Sequence, residues 1–318
     1  MADKAHVQHL IVGPDHAARR LDNFLGSVLD GLPKPLIYRI IRTGEVRVNG
    51  GRSEPSRKLE LGDKVRVPPL RFGATADLPL PREIVAEVSA AVLYEDEFVL
   101  VLNKPAGLAA HAGSGLRYGA IDVLRAARPS CSDLNLAHRL DRDTSGCLLF
   151  AKDVLSLRRL NQQIADREFH KAYLTLLQGQ LPAARLVVDT PLESRGGTGA
   201  GRRTVAAASG RAASTTFVLV QQFRNCCLVS AEPYTGRTHQ IRAHAEALGH
   251  PLGGDAVYGD ETFNRYLRTL GLRRMFLHAI KLEFTLNHPI AVEAPLPPEL
   301  ALVVTALEND AANFSHGQ

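Results

Sequence analysis

A short, charge-dense segment that runs directly into an apolar one is the feature that most constrains how this chain folds. Residues 138–146 read His-Arg-Leu-Asp-Arg-Asp-Thr-Ser-Gly, and the apolar residues 148–151 follow almost at once. A polar segment joined to a buried strand lies in a loop at the mouth of that strand, where functional side chains are often carried. We therefore expect residues 138–146 to occupy such a loop and to contain a functional site.

The two carboxylates of this segment allow different interpretations. Residues 143–145 are typical of a turn in which side chains bond the nearby backbone. Asp141 has Arg139 and Arg142 within two positions, and neighbouring positive charge favours the ionised carboxylate that a covalent nucleophile requires. We expect Asp141 to carry chemistry and residues 143–145 to brace the loop.

Positive charge is concentrated at the start of the chain. Residues 1–70 contain 12 Lys and Arg against 8 Asp and Glu, a net charge of +4, whereas the remainder contains 26 against 25. Neutralisation of phosphates supplies most of the sequence-independent affinity for nucleic acid. This division predicts a small polyanion-binding module joined to a larger, nearly neutral domain.

The periodicity of the basic segment predicts two helices and two strands. Apolar residues at helical spacing predict a helix over 19–30, which Gly31 and Pro33 end. A second helix is expected from Pro35 to Arg42, with Gly44 as its C-terminal cap. Alternation predicts strands over 46–49 and 64–67, with valines inward and basic residues outward.

Basic side chains recur on both the helices and the strands of this module, which favours RNA binding over the alternative of a solvated basic surface without a partner. The predicted RNA-binding residues are Arg19, Arg20, Lys34, Arg39, Arg42, Arg47, Lys64 and Arg66.

The rest of the chain divides into a proline-containing linker and a second domain. The module is assigned to residues 1–68, the linker to 69–90 and the second domain to 91–310. In this domain we expect strands over 92–94, 98–102, 148–152, 216–223 and 226–231, and helices over 117–128, 153–167 and 238–248. Residues 194–203 are expected to form a basic loop, and Lys104 is interpreted as a surface lysine.

Two further residues of this domain have alternative interpretations. Tyr173 begins a predicted strand, where a tyrosine usually packs in a core or at an edge. Arg242 lies near the edge of the buried stripe of the helix over 238–248, about 100° from Ile241, where it can reach a carboxylate beside the helix. The alternative for Arg242 is a weak surface pair with Glu246, four residues on.

Three motifs together resemble a known enzyme family. The segment 138–146, the Lys-Ala-Tyr of 171–173 and the Thr-Gly-Arg-Thr-His-Gln-Ile-Arg of 235–242 are similar to the motifs of large-subunit ribosomal RNA pseudouridine synthases. Residues 112–116, with 138–146 and the N-terminal module, resemble the C type of this family. Residues 17–67 resemble the alpha-L RNA-binding module first recognised in a small-subunit ribosomal protein. The resemblance extends over about residues 17–300.

This resemblance implies an α+β fold: the small alpha-L module, then a catalytic domain with a mostly antiparallel mixed sheet flanked by helices. It implies isomerisation of uridine to pseudouridine, without a cofactor, in large-subunit ribosomal RNA that is free or partly assembled. The implied roles are Asp141 as covalent participant, Arg242 as its orienting partner, Tyr173 as the platform for a flipped base, and Arg139 as the residue that holds open the space the nucleotide leaves.

Several other functions remain open at this stage. The chain could be a non-catalytic RNA-binding factor of ribosome assembly, a synthase acting on other ribosomal or transfer RNA uridines, or a hydrolase using Asp141 with His138. The four cysteines and the histidines lack the spacing of a metal site. No stretch approaches the roughly 18 uninterrupted apolar residues of a membrane span, so we expect a cytoplasmic protein without a metal.

Overall fold

The structure is a computed structural model that describes residues 7–29, 32, 34–69, 80–112, 116–131, 133–196 and 203–315. Its contacts divide the chain into two compact units, Met1–Pro79 and Leu80–Gln318. Three sequence-based expectations fall on positions outside the described residues. These are the helix stop at Gly31 and Pro33, the centre of the 112–116 resemblance, and residues 197–202 of the predicted basic loop.

The first unit combines two helices with a small antiparallel sheet. In chain order its elements are β1 (Gln8–Ile11), a 3-10 helix (Pro14–His16), α1 (Leu21–Val28), α2 (Lys34–Arg42), β2 (Arg47–Val48) and β3 (Lys64–Val67). The strand order is β1-β3-β2, so both predicted helices and the predicted strand pair are present and β1 is an addition. The core consists of the apolar faces of α1 and α2 with the inward valines of β2 and β3.

The region assigned to the linker contains a helix. α3 (Arg82–Ala90) begins directly after Pro81, packs against α4 (Ala120–Ala127) and buries Val88 in the core of the second unit. The prediction of an irregular linker throughout 69–90 is therefore wrong for its second half. Proline is compatible with the start of a helix, so the prolines at 79 and 81 did not exclude one.

The second unit is built around one large sheet. The strands of this unit are β4 (Val92–Glu95), β5 (Val99–Lys104), β6 (Asn135–Leu136), β7 (Ser145–Ala151), β8 (His170–Gln178), β9 (Arg185–Asp189), β10 (Leu192–Arg195), β11 (Arg203–Ala206), β12 (Ser214–Gln222), β13 (Cys226–Pro233), β14 (Leu277–Thr285) and β15 (Pro289–Glu293). The remaining helices are α5 (Val154–Asp166), α6 (Gln240–Ala247), α7 (Glu261–Thr269) and α8 (Pro298–Ser315).

The order of this sheet is β4-β5-β7-β14-β8-β13-β12-β9, with β6 on β7 and β15 on β14. Among the strands that the structure describes, β7 and β14 form the one parallel pair of the sheet. The predicted α+β fold with a mostly antiparallel mixed sheet is confirmed. β10 and β11 form a separate pair, so the ends of the predicted basic loop over 194–203 are strands.

The apolar run after the charge-dense segment forms β7, whose seven residues are all buried. The start of this strand depends on Gly146, which has φ +103° and pairs with Ala279 of β14. A Cβ atom at this glycine would lie 2.2 Å from the carbonyl oxygen of Ala279, so another residue cannot fit without moving the backbone. This close approach places the loop of Asp141 at the end of β7 beside β14.

No helix in the described part of the chain combines the length and the hydropathy needed to cross a membrane.

Candidate active site

Asp141 lines a cleft of about 640 Å³ in the second unit. This volume lies within the range of small-ligand sites, which run from roughly 300 to 1,000 Å³. The walls come from the loop before β7, the start of β8, and the segment from the end of β13 into α6. The polar lining residues are His111, His138, Arg139, Asp141, Arg142, Thr144, Asn161, Lys171, Tyr173, Thr235, Arg237, Thr238, His239, Gln240 and Arg242.

Arg242 contacts Asp141, as the family resemblance implied. Its Nη1 lies 3.3 Å from Oδ2 of Asp141, and the arginine is only 8% exposed. The alternative pair with Glu246 does not form, because Glu246 is bonded to Arg203 instead. The first turn of α6 thus carries Arg242 inward, towards the loop that precedes β7.

Asp255 holds the other side of the same guanidinium. Nε and Nη2 of Arg242 donate to its two carboxylate oxygens over 2.6 and 2.9 Å. Burial opposes both charges, but hydrogen bonds and the attraction of opposite charges together outweigh it: the pKa of Arg242 is raised and that of Asp255 is lowered. This carboxylate therefore fixes the orientation of Arg242, a contact that sequence patterns did not single out.

Tyr258 completes the surroundings of the arginine. The centre of the Arg242 guanidinium lies 4.6 Å from the centroid of the Tyr258 ring, within the range of a cation–π contact. The tyrosine hydroxyl accepts from the backbone N–H of Thr204 over 2.7 Å and lies 3.0 Å from Nδ1 of His239. The contact of Tyr258 with Arg242 was not predicted from the sequence.

His239 is a second group beside Asp141. It precedes α6 in a left-handed conformation, φ +52°, which is uncommon for a residue other than glycine. Its Nε2 lies 3.8 Å from Oδ2 of Asp141. The same carboxylate oxygen therefore faces both Arg242 and His239.

The arginines next to Asp141 in sequence do not contact its carboxylate. Arg142 pairs with Asp143 over 3.3 Å, and both side chains are exposed. Arg139 is exposed at the wall of the cleft. The arginine that contacts Asp141 comes instead from α6, about a hundred residues later.

The residues after Asp141 form a turn, but Ser145 has another function. The backbone N–H of Thr144 donates to the carbonyl of Asp141 over 3.2 Å, as expected for a turn. Ser145 instead begins β7, where its hydroxyl lies 2.9 Å from Nδ1 of His278 and accepts from Arg274 over 3.0 Å. It ties the end of the loop to β14 and not to the backbone of the turn.

Lys104 is buried beneath this loop and is not a surface lysine. It is fully inaccessible to solvent, and its ammonium donates to the carbonyls of Pro105, Leu108 and Arg142 over 2.8, 2.7 and 3.0 Å. Burial lowers its pKa to about 7, against the opposing charges of Asp143 and Asp141. Lys104 therefore fastens the backbone on the C-terminal side of Asp141 to the loop after β5.

Tyr173 and His138 are both in the neutral form at the cleft wall. Tyr173 is 7% exposed on β8, and burial, with the charge of Asp141, raises its pKa. Burial lowers the pKa of His138 to about 3, and its Nε2 accepts from the N–H of Leu149 over 3.1 Å. Because this histidine is bonded to the backbone of β7, it does not pair with Asp141 as the hydrolase alternative requires.

The predicted RNA-binding residues lie in the other unit and differ in their surroundings. Arg20 donates to both oxygens of Asp22, over 3.1 and 2.7 Å, so its charge is already compensated. Lys34 lies in the first turn of α2, and its side chain is outside the described residues. Arg19, Arg39, Arg42, Arg47 and Lys64 are exposed, as is the paired Arg20, while Arg66 is half-buried.

Three of these arginines gather near the turn between α2 and β2. Arg42 ends α2, and Arg47 and Arg66 are paired positions on β2 and β3. Arg66 donates to the carbonyl of Glu45 over 2.9 Å. Arg52, which sequence patterns did not single out, lies against Gly44 of the same turn.

Within the described residues, no three His, Cys, Asp or Glu side chains are grouped as they would be to hold a metal ion.

Comparison with known proteins assigns the two units to two families. Residues 98–247 match the model of the RNA pseudouridylate synthase family, and residues 19–65 match that of the S4 domain. The chain is 43% identical over 308 residues to ribosomal large subunit pseudouridine synthase C of Pasteurella multocida, covering 95% of this chain and 94% of the relative. It is 43% identical over 312 residues to the protein of the same name from Escherichia coli, covering 95% and 97%.

Solved structures give the same assignment. Human RNA pseudouridylate synthase domain containing 1 is 26% identical, with a TM-score of 0.55 over 65% of this chain and 83% of that chain. Human RNA pseudouridylate synthase domain containing 4, 23% identical, shares the fold with a TM-score of 0.60 over 71% and 96%. The chain therefore belongs to the RNA pseudouridine synthase family, in the group whose members are named ribosomal large subunit pseudouridine synthase C, and is an RNA pseudouridine synthase.

Proposed function

We propose that this enzyme converts specific uridines to pseudouridine in large-subunit ribosomal RNA, free or partly assembled, with Asp141 as the covalent participant. The substrate class is supported by the names of relatives that align over nearly the whole chain. The observation that carries the catalytic assignment is the contact of Asp141, in an open cleft, with an arginine that a second, buried carboxylate fixes in place.

The reaction is an isomerisation, so it needs no co-reactant. The bond between the uracil N1 and the anomeric carbon breaks, the base rotates, and a bond from C5 to the anomeric carbon forms. The proton that C5 carried is lost, and N1 gains one. The carboxylate of Asp141 forms the transient covalent bond, to the anomeric carbon or to the base, and is released unchanged.

Arg242 supports this chemistry by orienting the carboxylate. Its Nη1 is directed at Asp141, while Nε and Nη2 are held by Asp255. A fixed guanidinium holds the Asp141 carboxylate in one orientation, and positioning of this kind lowers the cost of reaching the reactive geometry.

Tyr173 and Arg139 act on the flipped nucleotide. Because its raised pKa keeps the phenol neutral, Tyr173 contacts the uracil without bringing charge to the base. Arg139, exposed at the wall, occupies the space that the nucleotide leaves. Flipping costs a few kcal/mol and least in an unpaired region, so exposed uridines in structured RNA are the preferred targets.

The N-terminal module supplies affinity for the RNA backbone. Its proposed phosphate contacts are Arg19, Arg39, Arg42, Arg47, Lys64 and Arg66, with Arg20 and Lys34 at its edge. Such contacts position RNA without selecting a base. With a ribosomal RNA substrate, the enzyme acts in the cytoplasm during ribosome biogenesis.

The test is turnover of a large-subunit ribosomal RNA transcript by purified protein without added cofactor. Wild-type protein is expected to form pseudouridine, and Asp141→Ala to form none while it retains RNA affinity. Asp143→Ala is the matched control, because Asp143 is exposed and pairs with Arg142, and it should keep most activity. Full turnover by Asp141→Ala would refute the role of this residue.

A further inference from the structure

A second cavity of about 290 Å³ opens beside the active-site cleft. The two cavities share Ile164, Lys171, Pro233, Thr235 and Gly236 as wall residues. Because the walls are shared, the two cavities adjoin each other.

Lys171 lies at the junction of the cavities and faces both. Its ammonium is 5.6 Å from the centroid of the Phe169 ring, and burial lowers its pKa. Within the described part of the chain, no carboxylate lies within ion-pair distance of it. A half-buried ammonium without a carboxylate partner is available to a ligand that supplies negative charge, and an RNA phosphate is such a ligand.

The walls of the second cavity carry charges of both signs, with Arg167 and Lys281 beside Glu232 and Glu283. The two glutamate carboxylates are hydrogen-bond acceptors. Glu283 is paired with Lys281, whereas Glu232 has no ion-pair partner among the described residues. Tyr234 is 41% exposed at the same wall and offers an aromatic face, on which a nucleic-acid base stacks readily.

We propose that this second cavity binds the nucleotide next to the target uridine. Lys171 binds the phosphate between the two nucleotides, Tyr234 stacks on the neighbouring base, and Glu232 accepts a hydrogen bond from an amino group of that base. The proposal rests on the proposed function, because the uridine bound at Asp141 places its neighbour at Lys171.

The first experiment removes the neighbouring base. A short RNA from the large-subunit transcript, containing one uridine that the enzyme converts, is made with an abasic residue on either side of that uridine. Wild-type kcat/KM should fall about 10-fold, within the range of one base–aromatic stack, for an abasic residue on one side only. Tyr234→Ala should show the same loss on intact RNA and no further loss on the abasic RNA.

If Tyr234→Ala on the abasic RNA lost about 100-fold, the product of the two single losses, the stacking assignment would be overturned. Equal turnover of the intact RNA and the two abasic RNAs by wild-type protein would also overturn it. Leu302→Ala is the matched control, since Leu302 is 69% exposed and lines neither cavity. It should retain the wild-type ratio between intact and abasic RNA.

The second experiment tests the base preference. Four RNAs carry each base in turn at the sensitive position, and wild-type kcat/KM should be lowest for uracil, which has no amino group. Glu232→Met should remove this preference, whereas Glu97→Gln, at an exposed turn outside both cavities, should keep it. An unchanged preference in Glu232→Met would refute the acceptor role.

The third experiment neutralises the phosphate. A methylphosphonate, which has no charge, between the two nucleotides should raise the KM of wild-type protein. It should leave the KM of Lys171→Met unchanged relative to RNA with a normal phosphate. In Lys171→Arg the methylphosphonate should again raise the KM. Equal sensitivity of wild type and Lys171→Met would refute the phosphate contact. If wild-type protein formed no pseudouridine in intact RNA, the proposed function would be refuted instead. Equilibrium titration measures the affinity for the same RNAs without turnover, so failure of the proposed function and failure of the phosphate contact can be told apart.

Discussion

The arginines of the two units show how differently one residue type is used. Arg39, Arg42 and Arg47 are exposed on a small sheet and helix, over a core of valines and other apolar residues. Arg242 is 8% exposed and contacts two carboxylates, one of them buried. Exposed charges contribute little to folding and remain available to a polyanion, whereas a buried pair is costly to break and holds its geometry.

This difference separates affinity from chemistry. In the first unit a positive charge can be moved or exchanged with small effect, because phosphate neutralisation depends mainly on the number of charges. In the second unit a single nitrogen of Arg242, Nη1, lies within hydrogen-bond distance of the Asp141 carboxylate. Substitutions should therefore have graded effects in the module and abrupt ones in the cleft.

Among variants outside Asp141, the largest effect is expected from Asp255→Ala. This variant leaves the buried guanidinium of Arg242 without its bidentate partner, which should lower the free energy of unfolding by about 3 to 5 kcal/mol. Loss of the fixed guanidinium should also reduce pseudouridine formation by about 100-fold or more. Urea unfolding and single-turnover rates measure the two effects.

Glu246→Ala is the control, because it removes only the partly exposed pair with Arg203 and should cost less than about 1 kcal/mol. The double variant Asp255→Ala with Arg242→Met should be less destabilised than the sum of the single variants, since neither charge is then left alone. Strict additivity would contradict the coupling of these residues.

Lys104 gives the next effect, a dependence of stability on pH. Its pKa is about 7 in the folded protein against an ordinary value of 10.5. Between these values the unfolded chain binds a proton that the folded chain does not, so stability rises with pH by up to about 1.4 kcal/mol per unit. Lys104→Met removes this contribution, so wild type should gain about 2 to 3 kcal/mol relative to the variant from pH 7 to pH 9.

Urea unfolding at the two pH values measures that difference. Lys152→Met is the control, because Lys152 pairs with Glu95 at 2.8 Å and should give a pH dependence parallel to that of wild type. A parallel dependence for Lys104→Met as well would show that Lys104 keeps its ordinary pKa.

The smallest effect on chemistry is expected in the module. The triple variant Arg42→Gln, Arg47→Gln, Arg66→Gln should weaken RNA binding and reduce the slope of log affinity against log salt by about 2 to 3. Its single-turnover rate at saturating RNA should equal that of wild type. Arg20→Gln, which removes a charge already paired with Asp22, should change affinity less than Arg42→Gln does, and the reverse order would contradict the assignment.

Patterns local in sequence predicted much of the fold. The helices α1 and α2, the strands β2 and β3, and the strand that follows Asp141 all have clear periodicity over a few residues. The pairing of Asp141 with Arg242 was implied by motif resemblance, because position on α6 places Arg242 only near the edge of the buried stripe.

The residues that sequence patterns missed depend on contacts distant in the chain. Lys104 is charged and follows an apolar run, and only the meeting of two loops around its ammonium shows that it is buried. Asp255 has the composition of a turn residue, and its partner Arg242 lies on the preceding helix. The start of α3 was hidden by Pro81, which is also typical of linkers.

RNA affinity and catalysis should reside in different units, and one set of titrations tests this separation. RNA affinity is measured at several salt concentrations, together with the single-turnover rate at saturating RNA, for wild type, Asp141→Asn and the triple arginine variant. We predict that Asp141→Asn keeps the wild-type salt slope and forms no pseudouridine, while the triple variant has a reduced slope and the wild-type rate. Loss of both properties in either variant would contradict the separation.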